Sequence, residues 1–233
     1  MTKHRLVIGI DEAGRGPLIG DMVVTGVAVS SSVIGRLEQL GVRDSKALSP
    51  GARSKARAAV LGEVPVSFVS IYVHAAEIDS KNLNTATLEA AKTVLLLIRE
   101  LAWRGGEVEI YVDEIKGGES KLRRFSTELY GDKLAVFVME PEADSKYPVV
   151  SLASIIAKTL RDESIQPGRV LFGDFGSGYS ADPKTVKWVT EYSKLSPPPL
   201  IVRRKWRNLE RLAPSWWKKS ARSLLDYIKR GET

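Results

Sequence analysis

Residues 5–20 of the chain are RLVIGIDEAGRGPLIG, and this stretch decides the fold that the sequence predicts. Residues 6–10 form an apolar run without polar alternation, which predicts a strand buried on both faces. The run leads directly into Asp11 and Glu12, two adjacent carboxylates that repel each other and resist desolvation. Adjacent residues of a regular strand point to opposite faces, so both acids can face one ligand only if the strand ends there. We therefore expect the strand to end at this pair, in a sharp turn that the following glycines permit.

The position of this acidic pair indicates a functional site. Sites in α/β proteins form where strands end and face the connecting loops. A carboxylate pair in such a place either shares a proton or binds a divalent cation. The alternative is a surface turn whose charges are in water, and the apolar run before Asp11 favours function over that alternative.

The rest of the chain alternates between strand-like and helix-like segments. Three strands come first, and the later alternation of helix and strand is typical of parallel crossovers, so we expect an α/β protein with a mixed five-stranded sheet flanked by helices. The order indicates a meander followed by crossover connections. Beyond the first strand, the predicted strands cover residues 22–30, 64–73, 108–112 and 134–139, and the predicted helices cover 52–61, 85–103, 122–129 and 149–160.

The C-terminal part of the chain has a different character. Residues after about 165 contain Gly and Pro breaks, so we expect a domain at residues 1–165 and a smaller helical extension at 166–233. The formal charge is +7, and the ten Lys and Arg against three Asp and Glu after residue 202 account for all of it. Interleaved with three tryptophans, these charges suit a polyanion such as nucleic acid, although a solvated basic helix face is the favoured interpretation of the charge alone.

Composition excludes several other classes. The chain has 233 residues and no cysteine, which rules out disulfides, a catalytic thiol and thiolate metal sites, and fits a reducing compartment. No apolar run approaches the roughly 18 residues that span a bilayer. The N-terminus has no apolar secretion signal, so we expect a cytoplasmic protein that does not bind membranes.

Further acids and the failure of a competing motif favour a metal site. Asp113 ends a second predicted strand, and Asp144 lies just before the helix that Pro148 begins. An all-oxygen ligand set, in a chain with two histidines, favours Mg²⁺ or Mn²⁺ over Zn²⁺. The segment GRGPLIG has three residues between its last two glycines, so it misses the GxGxxG spacing of a phosphate-binding loop.

Six features of residues 5–212, in order, resemble the ribonuclease HII family, most closely its archaeal type. The resemblance implies the ribonuclease H fold and a helical C-terminal extension. It also implies endonucleolytic cleavage of RNA in RNA–DNA hybrids and 5′ of single ribonucleotides in duplex DNA, as in primer removal and ribonucleotide excision repair. The features are IGIDEAGRGPLIGDMVVTGVAV, RDSKALSP, the strand-end Asp113, ADSKYPVVSLASIIAK, GSGYSADPKT and IVRRKWRNLERL.

The same resemblance implies roles for individual residues. Two Mg²⁺ or Mn²⁺ ions held by acids would direct hydrolysis to 3′-hydroxyl and 5′-phosphate ends. A Gly-Arg-Gly segment and a tyrosine would recognise the 2′-hydroxyl, and three lysines match positions near the phosphate backbone. The metal ligands and catalytic acids fall on Asp11, Glu12, Asp113 and Asp144, and the substrate-binding residues on Gly14, Arg15, Gly16, Tyr179, Lys46, Lys146 and Lys158.

Alternatives remain open from sequence alone. Another nuclease or recombinase of the ribonuclease H fold would share the acids without the Gly-Arg-Gly segment and the tyrosine. A non-catalytic nucleic-acid-binding module would not need the four acids, and a nucleotide-dependent phosphotransferase is disfavoured by the glycine spacing. We expect a monomer. Near the C-terminus, Leu224, Tyr227 and Ile228 resemble a degenerate sliding-clamp-binding motif, although docking of an apolar helix face on the core is the favoured interpretation.

Overall fold

A computed structural model describes residues 5–42 and 48–218. Its centre is a mixed sheet of five strands, which confirms the predicted number and order of strands. The third strand begins three residues later than predicted, after Pro65, whose missing N–H cannot join the hydrogen-bond ladder. The strands are β1 (Leu6–Ala13), β2 (Met22–Ser30), β3 (Ser67–Val73), β4 (Val108–Asp113) and β5 (Leu134–Glu140).

The sheet is antiparallel on one side of β1 and parallel on the other. Its strand order is β3-β2-β1-β4-β5. The first three strands form the predicted antiparallel meander, and β4 and β5 run parallel to β1 through helical crossovers. The central position of β1 explains its apolar sequence, because both faces of this strand are covered.

The expectation that β1 ends at Asp11 is wrong on one side of the strand. Pairing with β2 continues through Asp11 and Glu12 to Ala13, which lies opposite Val23. Pairing with β4 stops at Ile10. The antiparallel partner thus keeps the strand extended, while the other edge opens, and the acids lie in this opening.

Helices cover both faces of the sheet. On one face α4 (Leu83–Ala102) packs over a core that includes Val94, Leu95 and Ile98, and on the other face α7 (Pro148–Ser164) packs over a second core. No helix in the described ranges combines the length and apolar character needed to cross a membrane. The helices are α1 (Ile34–Gln39), α2 (Pro50–Glu63), α3 (Ala75–Ser80), α4 (Leu83–Ala102), α5 (Glu119–Tyr130), α6 (Ala143–Lys146), α7 (Pro148–Ser164), α8 (Gln166–Phe172), α9 (Pro183–Tyr192) and α10 (Arg207–Leu212).

The buried helix α7 begins at Pro148, as predicted, and approaches β1 very closely. A Cβ on Gly9 would overlap the backbone of Val149, so only glycine fits at this position of the strand. The contact aligns the start of α7 with the middle of β1. It therefore brings the later turns of α7 beside Asp11 and Glu12.

The described residues after 165 contain α8, α9 and α10 and pack around a third apolar cluster. This cluster contains Phe175, Trp188 and Trp216, together with Leu18 and Ile19 from the loop after β1. Because the loop contributes two fully buried side chains, the cluster is shared with the segment that follows the strand. The division into domains at residues 1–165 and 166–233 stays a prediction.

Candidate active site

Strand register places two acids side by side. Ile10 and Val112 are the last paired residues of the parallel β1–β4 ladder. Asp11 and Asp113 each come directly after that pair, so they leave neighbouring strands at the same level of the sheet. The two strand-end acids that the sequence singles out therefore lie on adjacent strands at one edge of the sheet.

Asp11 is nearly inaccessible to water, with 5% of its surface exposed. Its Oδ1 accepts a hydrogen bond from the backbone N–H of Glu12 at 2.7 Å. Burial raises the pKa of this carboxyl well above its ordinary value, the charges of Glu12 and Asp113 raise it further, and a hydrogen bond with Ser154 of α7 opposes the shift. The ionised form of Asp11 is thus disfavoured by its surroundings, and a nearby positive charge would stabilise it.

Glu12 lies next to Asp11 in a similar environment. Burial raises the pKa of its carboxyl to about 7, and the charge of Asp113 adds to the shift. Arg15 and Lys158 act in the opposite direction. Arg15 Nη1 is 3.4 Å from Glu12 Oε1, a long and weak contact.

The guanidinium of Arg15 is held mainly by α4. Its Nη1 donates to Thr87 Oγ1 at 2.9 Å and its Nη2 to Asn84 Oδ1 at 2.5 Å. The sequence gives no local signal for these partners, which are about 70 residues away. The side chain therefore fastens its loop to the start of α4, and the backbone of Arg15 is left to face a ligand.

Asp113 and Asp144 are linked through the short helix α6. Asp113 Oδ1 accepts a hydrogen bond at 3.0 Å from the backbone N–H of Ala143, the first residue of α6. Glu142, just before it, has a left-handed backbone with φ of 57°, which turns the chain back toward β4. Asp144 follows with 6% of its surface exposed. The turn thus buries Asp144 one residue away from the group that holds Asp113.

The donor chemistry of this cluster fits a hard divalent cation. The carboxylates of Asp11, Glu12 and Asp113 are oxygen donors, and their mutual repulsion favours a bound positive charge. Within residues 5–42 and 48–218, however, no three acidic or histidine side chains are close enough to form a complete ligand set.

The segment that follows the acids turns sharply at Gly14. This glycine has φ of +85°, and a Cβ on it would lie 2.7 Å from the carbonyl oxygen of Asp21. Gly16, two residues later, is exposed, and a Cβ on it would meet no atom closer than ordinary van der Waals contact. The nearest atom to a Cβ on Gly16 would be Cε1 of Tyr179, at 3.7 Å. The structure thus brings the Gly-Arg-Gly segment and the predicted tyrosine together.

Tyr179 lies on a well-supported turn. Asp182 Oδ2 accepts the N–H of Ser177 at 2.7 Å, and Asp182 also caps the start of α9. The carbonyl of Gly178 accepts from the N–H of Leu18 at 2.7 Å, which joins this turn to the loop after β1. The ring of Tyr179 remains 39% exposed and available to a ligand.

Two buried arginines hold the backbone here, and sequence reasoning missed both. Arg203 has no exposed surface, and its guanidinium donates to the carbonyls of Gly14, Arg15 and Gly20 at 2.6, 2.9 and 2.9 Å. Burial, together with the charge of Arg161, lowers the pKa of Arg203 to about 10. The only signal in the sequence is that Arg203 belongs to the block IVRRKWRNLERL, which by itself predicts a basic surface rather than a buried fork.

Arg161 of α7 supports the tyrosine side of the site. Its Nη2 donates to the carbonyl of Ser177 at 2.6 Å, and its guanidinium lies 5.0 Å from the ring centroid of Tyr179. A cation over an aromatic face is attracted by the ring quadrupole. The position of the ring is thereby linked to α7, the same helix that carries Ser154 and Lys158.

The three predicted lysines have different outcomes. Lys158 donates to Ser154 Oγ at 2.8 Å, and its charge lowers the pKa of Glu12, so it lies at the acidic cluster. Lys146 is exposed and pairs with Glu140 at 3.2 Å. Lys46 lies outside the described residues, and so do Leu224, Tyr227 and Ile228.

Comparison with known proteins decides the family. The model of the family described as Ribonuclease HII matches residues 8–209. The chain belongs to the ribonuclease HII family. A curated relative named Ribonuclease HII from Hyperthermus butylicus is 42% identical over 236 residues, covering 96% of this chain and 95% of that protein. The resemblance seen in the sequence is therefore confirmed across nearly the whole chain.

Solved structures agree with this assignment. The crystal structure of ribonuclease H2 from Pyrococcus horikoshii OT3 superposes with a TM-score of 0.77 at 33% identity, covering 92% of this chain and all of that one. The ribonuclease HII in a structure of the PCNA:RNase HII complex from Archaeoglobus fulgidus gives a TM-score of 0.74 at 35% identity, covering 94% and 99%. The predicted ribonuclease H-like α/β fold is confirmed.

Membership of the family settles the class of activity. The protein is an enzyme, an endoribonuclease that cleaves RNA in RNA–DNA hybrids, and the two-metal chemistry with its 5′-phosphate products is that of the family. The phosphotransferase and the non-catalytic binding module are thereby excluded. Enzymes of this family use divalent metal ions, in agreement with the oxygen donors described above.

Proposed function

We propose that cleavage takes place at Asp11, Glu12, Asp113 and Asp144, and that the enzyme cuts 5′ of ribonucleotides embedded in duplex DNA. The observation that carries the proposal is the parallel register that sets Asp11 beside Asp113 at the open edge of β1. Two Mg²⁺ or Mn²⁺ ions, when bound, supply an activated water and stabilise the leaving 3′-oxygen. The protein supplies the placement of their ligands.

Two of these acids, Asp11 and Asp113, are held by different parts of the fold. The N–H of Glu12 and the side chain of Ser154 fix Asp11, and the N–H of Ala143 fixes Asp113. Lys158 keeps a positive charge beside Glu12, where it can also approach a phosphate of the substrate. Neighbouring hydrogen bonds of this kind orient ligand side chains before the substrate arrives.

Ribose recognition is assigned to the gap between Gly16 and Tyr179. Gly16 has no side chain to block a sugar, and Tyr179 presents an exposed ring on the other side of the gap. A 2′-hydroxyl can both donate and accept a hydrogen bond, so amide N–H groups beside it distinguish ribose from deoxyribose. The backbone of residues 14–16 supplies such groups, while the side chain of Arg15 is engaged elsewhere.

The test of the catalytic acids uses two duplexes of one sequence, one with a single ribonucleotide and one entirely of DNA. In Mg²⁺ or Mn²⁺ the wild-type enzyme should cut only the first, leaving 3′-hydroxyl and 5′-phosphate ends. Asp11→Asn, Asp113→Asn and Asp144→Asn should each lower the rate by at least about 100-fold, because each removes a ligand of the metals. Asp132→Asn, at an exposed surface ion pair with Lys133, is the control. Cleavage of the DNA duplex, or near wild-type rates in the acid variants, would contradict the proposal.

The test of ribose recognition is Gly16→Ala. The new methyl group fits the protein without overlap but occupies the gap facing Tyr179. We expect about tenfold weaker preference for the ribonucleotide duplex, since a sugar can no longer approach the backbone closely. An unchanged preference would place recognition elsewhere.

A second proposal concerns a partner. The Archaeoglobus fulgidus relative has been solved as a complex with PCNA, and this supports a sliding-clamp contact through Leu224, Tyr227 and Ile228 of the present chain. Deleting residues 221–233 should abolish binding to the clamp and leave cleavage of a short duplex unchanged. Equal clamp binding by the truncated protein would overturn this proposal. We further propose that the enzyme is a cytoplasmic monomer, which size-exclusion chromatography can check for the oligomeric state.

A further inference from the structure

One short segment of the C-terminal region holds every carbonyl group of the Gly-Arg-Gly loop. Arg203 donates to the carbonyls of Gly14 and Arg15, and Trp206 Nε1 donates to the carbonyl of Gly16 at 3.2 Å. The guanidinium of Arg203 also lies 5.1 Å from the ring centroid of Trp206, so the two side chains support each other. The four residues from Arg203 to Trp206 thus form one template for the loop.

The backbone of the template is fastened to the loop as well. The N–H of Arg203 donates to the carbonyl of Leu18 at 2.8 Å, and the N–H of Gly20 donates to the carbonyl of Ile201 at 2.8 Å. Ile19 and Val202 form an isolated antiparallel bridge. The main chain that carries the buried guanidinium is therefore paired with the loop on either side of Arg203.

Holding the carbonyls determines where the amides point. In a trans peptide unit the C=O and N–H point in opposite directions. The carbonyls of Gly14 and Arg15 share their peptide units with the N–H groups of Arg15 and Gly16, so both N–H groups face away from Arg203. In the described part of the chain neither of these N–H groups donates a hydrogen bond. The peptide unit between Gly16 and Pro17 contributes no N–H donor, because proline has none.

We infer that Arg203 and Trp206 are positioning residues for ribonucleotide recognition, which set the amides of Arg15 and Gly16 as a pair of donors for the 2′-hydroxyl oxygen. This inference rests on the proposed role of residues 14–16. It adds that discrimination between ribose and deoxyribose depends on a segment nearly 190 residues away in the sequence that does not itself touch the sugar.

Position 203 requires an arginine because the guanidinium is a planar group with three donor nitrogens. Its Nε, Nη1 and Nη2 each reach a different carbonyl, which the single ammonium of lysine cannot reproduce. Charge-assisted hydrogen bonds are stronger than neutral ones, and in a buried setting they hold the peptide planes firmly. A loosened loop would still bind duplex DNA but would present its N–H groups in many orientations.

The experiment measures preference, defined as the ratio of Kd for an all-DNA duplex to Kd for the same duplex with one ribonucleotide. Fluorescence anisotropy in EDTA keeps cleavage from interfering. Arg203→Lys should lower the preference about tenfold, because it removes charge-assisted hydrogen bonds to the loop. Trp206→Phe should lower it about threefold, because it removes one neutral hydrogen bond. The Kd for the all-DNA duplex should stay within about twofold of the wild type, because the phosphate contacts are untouched.

Matched controls remove the same chemistry in the same region. Arg204→Lys alters an arginine whose Nε donates to the carbonyl of Trp216 at 2.9 Å, and Trp216→Phe removes an indole donor to the carbonyl of Ser196 at 2.9 Å. Neither bond reaches the loop, so both variants should keep the wild-type preference. If a control loses as much preference as its partner variant, the effect is general to the region and the inference is wrong.

The possible outcomes distinguish failure of this inference from failure of the proposed role of residues 14–16 in ribose recognition. If Gly16→Ala keeps the preference, or the wild type has none, recognition by residues 14–16 fails. If Gly16→Ala loses preference while Arg203→Lys and Trp206→Phe keep it, the loop recognises ribose without the template, and only the inference is overturned. Should Arg203→Lys fail to fold, as the loss of binding to both duplexes would show, the milder Trp206→Phe decides the result.

Discussion

Gly16 faces Tyr179 across a gap in which a methyl group on the glycine would lie 3.7 Å from the ring carbon Cε1. That distance is ordinary van der Waals contact, so the folded protein accommodates an alanine there. Gly14 is different, since its φ is +85° and a methyl group would lie 2.7 Å from the carbonyl oxygen of Asp21. The two glycines of one motif therefore serve different purposes, Gly14 shaping the backbone and Gly16 leaving room for a ligand.

This difference predicts opposite effects on stability. Gly14→Ala should lower the free energy of unfolding by about 2–4 kcal/mol, because it combines backbone strain with overlap against the carbonyl oxygen of Asp21. Gly16→Ala should change it by less than about 0.5 kcal/mol, as is usual for open positions. Urea denaturation of the two variants in EDTA is the measurement. Equal destabilisation would mean that both glycines are structural.

Removing a charge from the acidic cluster should stabilise the metal-free enzyme. Asp11 is buried, and the charges of Glu12 and Asp113 act against its ionised form. Asp11→Asn should therefore raise the free energy of unfolding in EDTA at pH 8 by about 1 kcal/mol, while abolishing cleavage. Asp132→Asn should leave the free energy of unfolding close to that of the wild type, because its ion pair with Lys133 lies at the surface. Clear destabilisation by Asp11→Asn would show that the hydrogen bonds of Asp11 outweigh the repulsion.

The raised pKa of Glu12 predicts how the stability of the metal-free enzyme depends on pH. This pKa rises from an ordinary value of 4.5 to about 7 in the folded protein. Between these values the native state binds more protons than the unfolded state, so the contribution of Glu12 to stability is complete below pH 4.5 and is lost as pH rises toward 7. The difference in unfolding free energy between the wild type and Glu12→Gln, measured in EDTA, should fall across this window and stay constant outside it.

The same titration predicts the response to divalent ions. A metal requires the ionised carboxylate, so Mg²⁺ should raise the melting temperature much more at pH 8 than at pH 5. Adding Mg²⁺ at pH 8 should also reverse the stability lost through Glu12. A rise in melting temperature that is equal at both pH values would indicate that the ions bind elsewhere.

Arg15 should tune the acid limb of the pH–rate profile. Its positive charge lowers the pKa of Glu12 against the effect of burial. Replacing it in Arg15→Gln should raise that pKa further, so the rise of kcat/KM with pH should move to higher pH, by about half a unit or more. Arg5→Gln, which breaks an exposed pair with Glu109 at the opposite end of β1, is the control. An unshifted profile would mean that Glu12 does not govern the acid limb.

Several parts of the site follow from local sequence. The apolar run before Asp11, the glycines after Glu12 and the proline at the start of α7 each have a short-range physical meaning, and the structure has the predicted strand, turn and helix there. The exact end of β1 does not follow, because it depends on which neighbour continues to pair. β2 pairs as far as Ala13, whereas β4 stops at Ile10.

The sequence alone determined the strands, the helix carrying Ser154 and Lys158, and a set of motifs specific enough to indicate the family, because periodicity and turn chemistry act over a few residues. Only the tertiary structure decided that Asp11 adjoins Asp113, since this depends on the register of strands about 100 residues apart. It also decided that Arg203, within a basic block, lies wholly buried against the carbonyls of Gly14 and Arg15. An arginine forms such bonds only with groups that the complete fold brings to it, and no local pattern records which carbonyls those are.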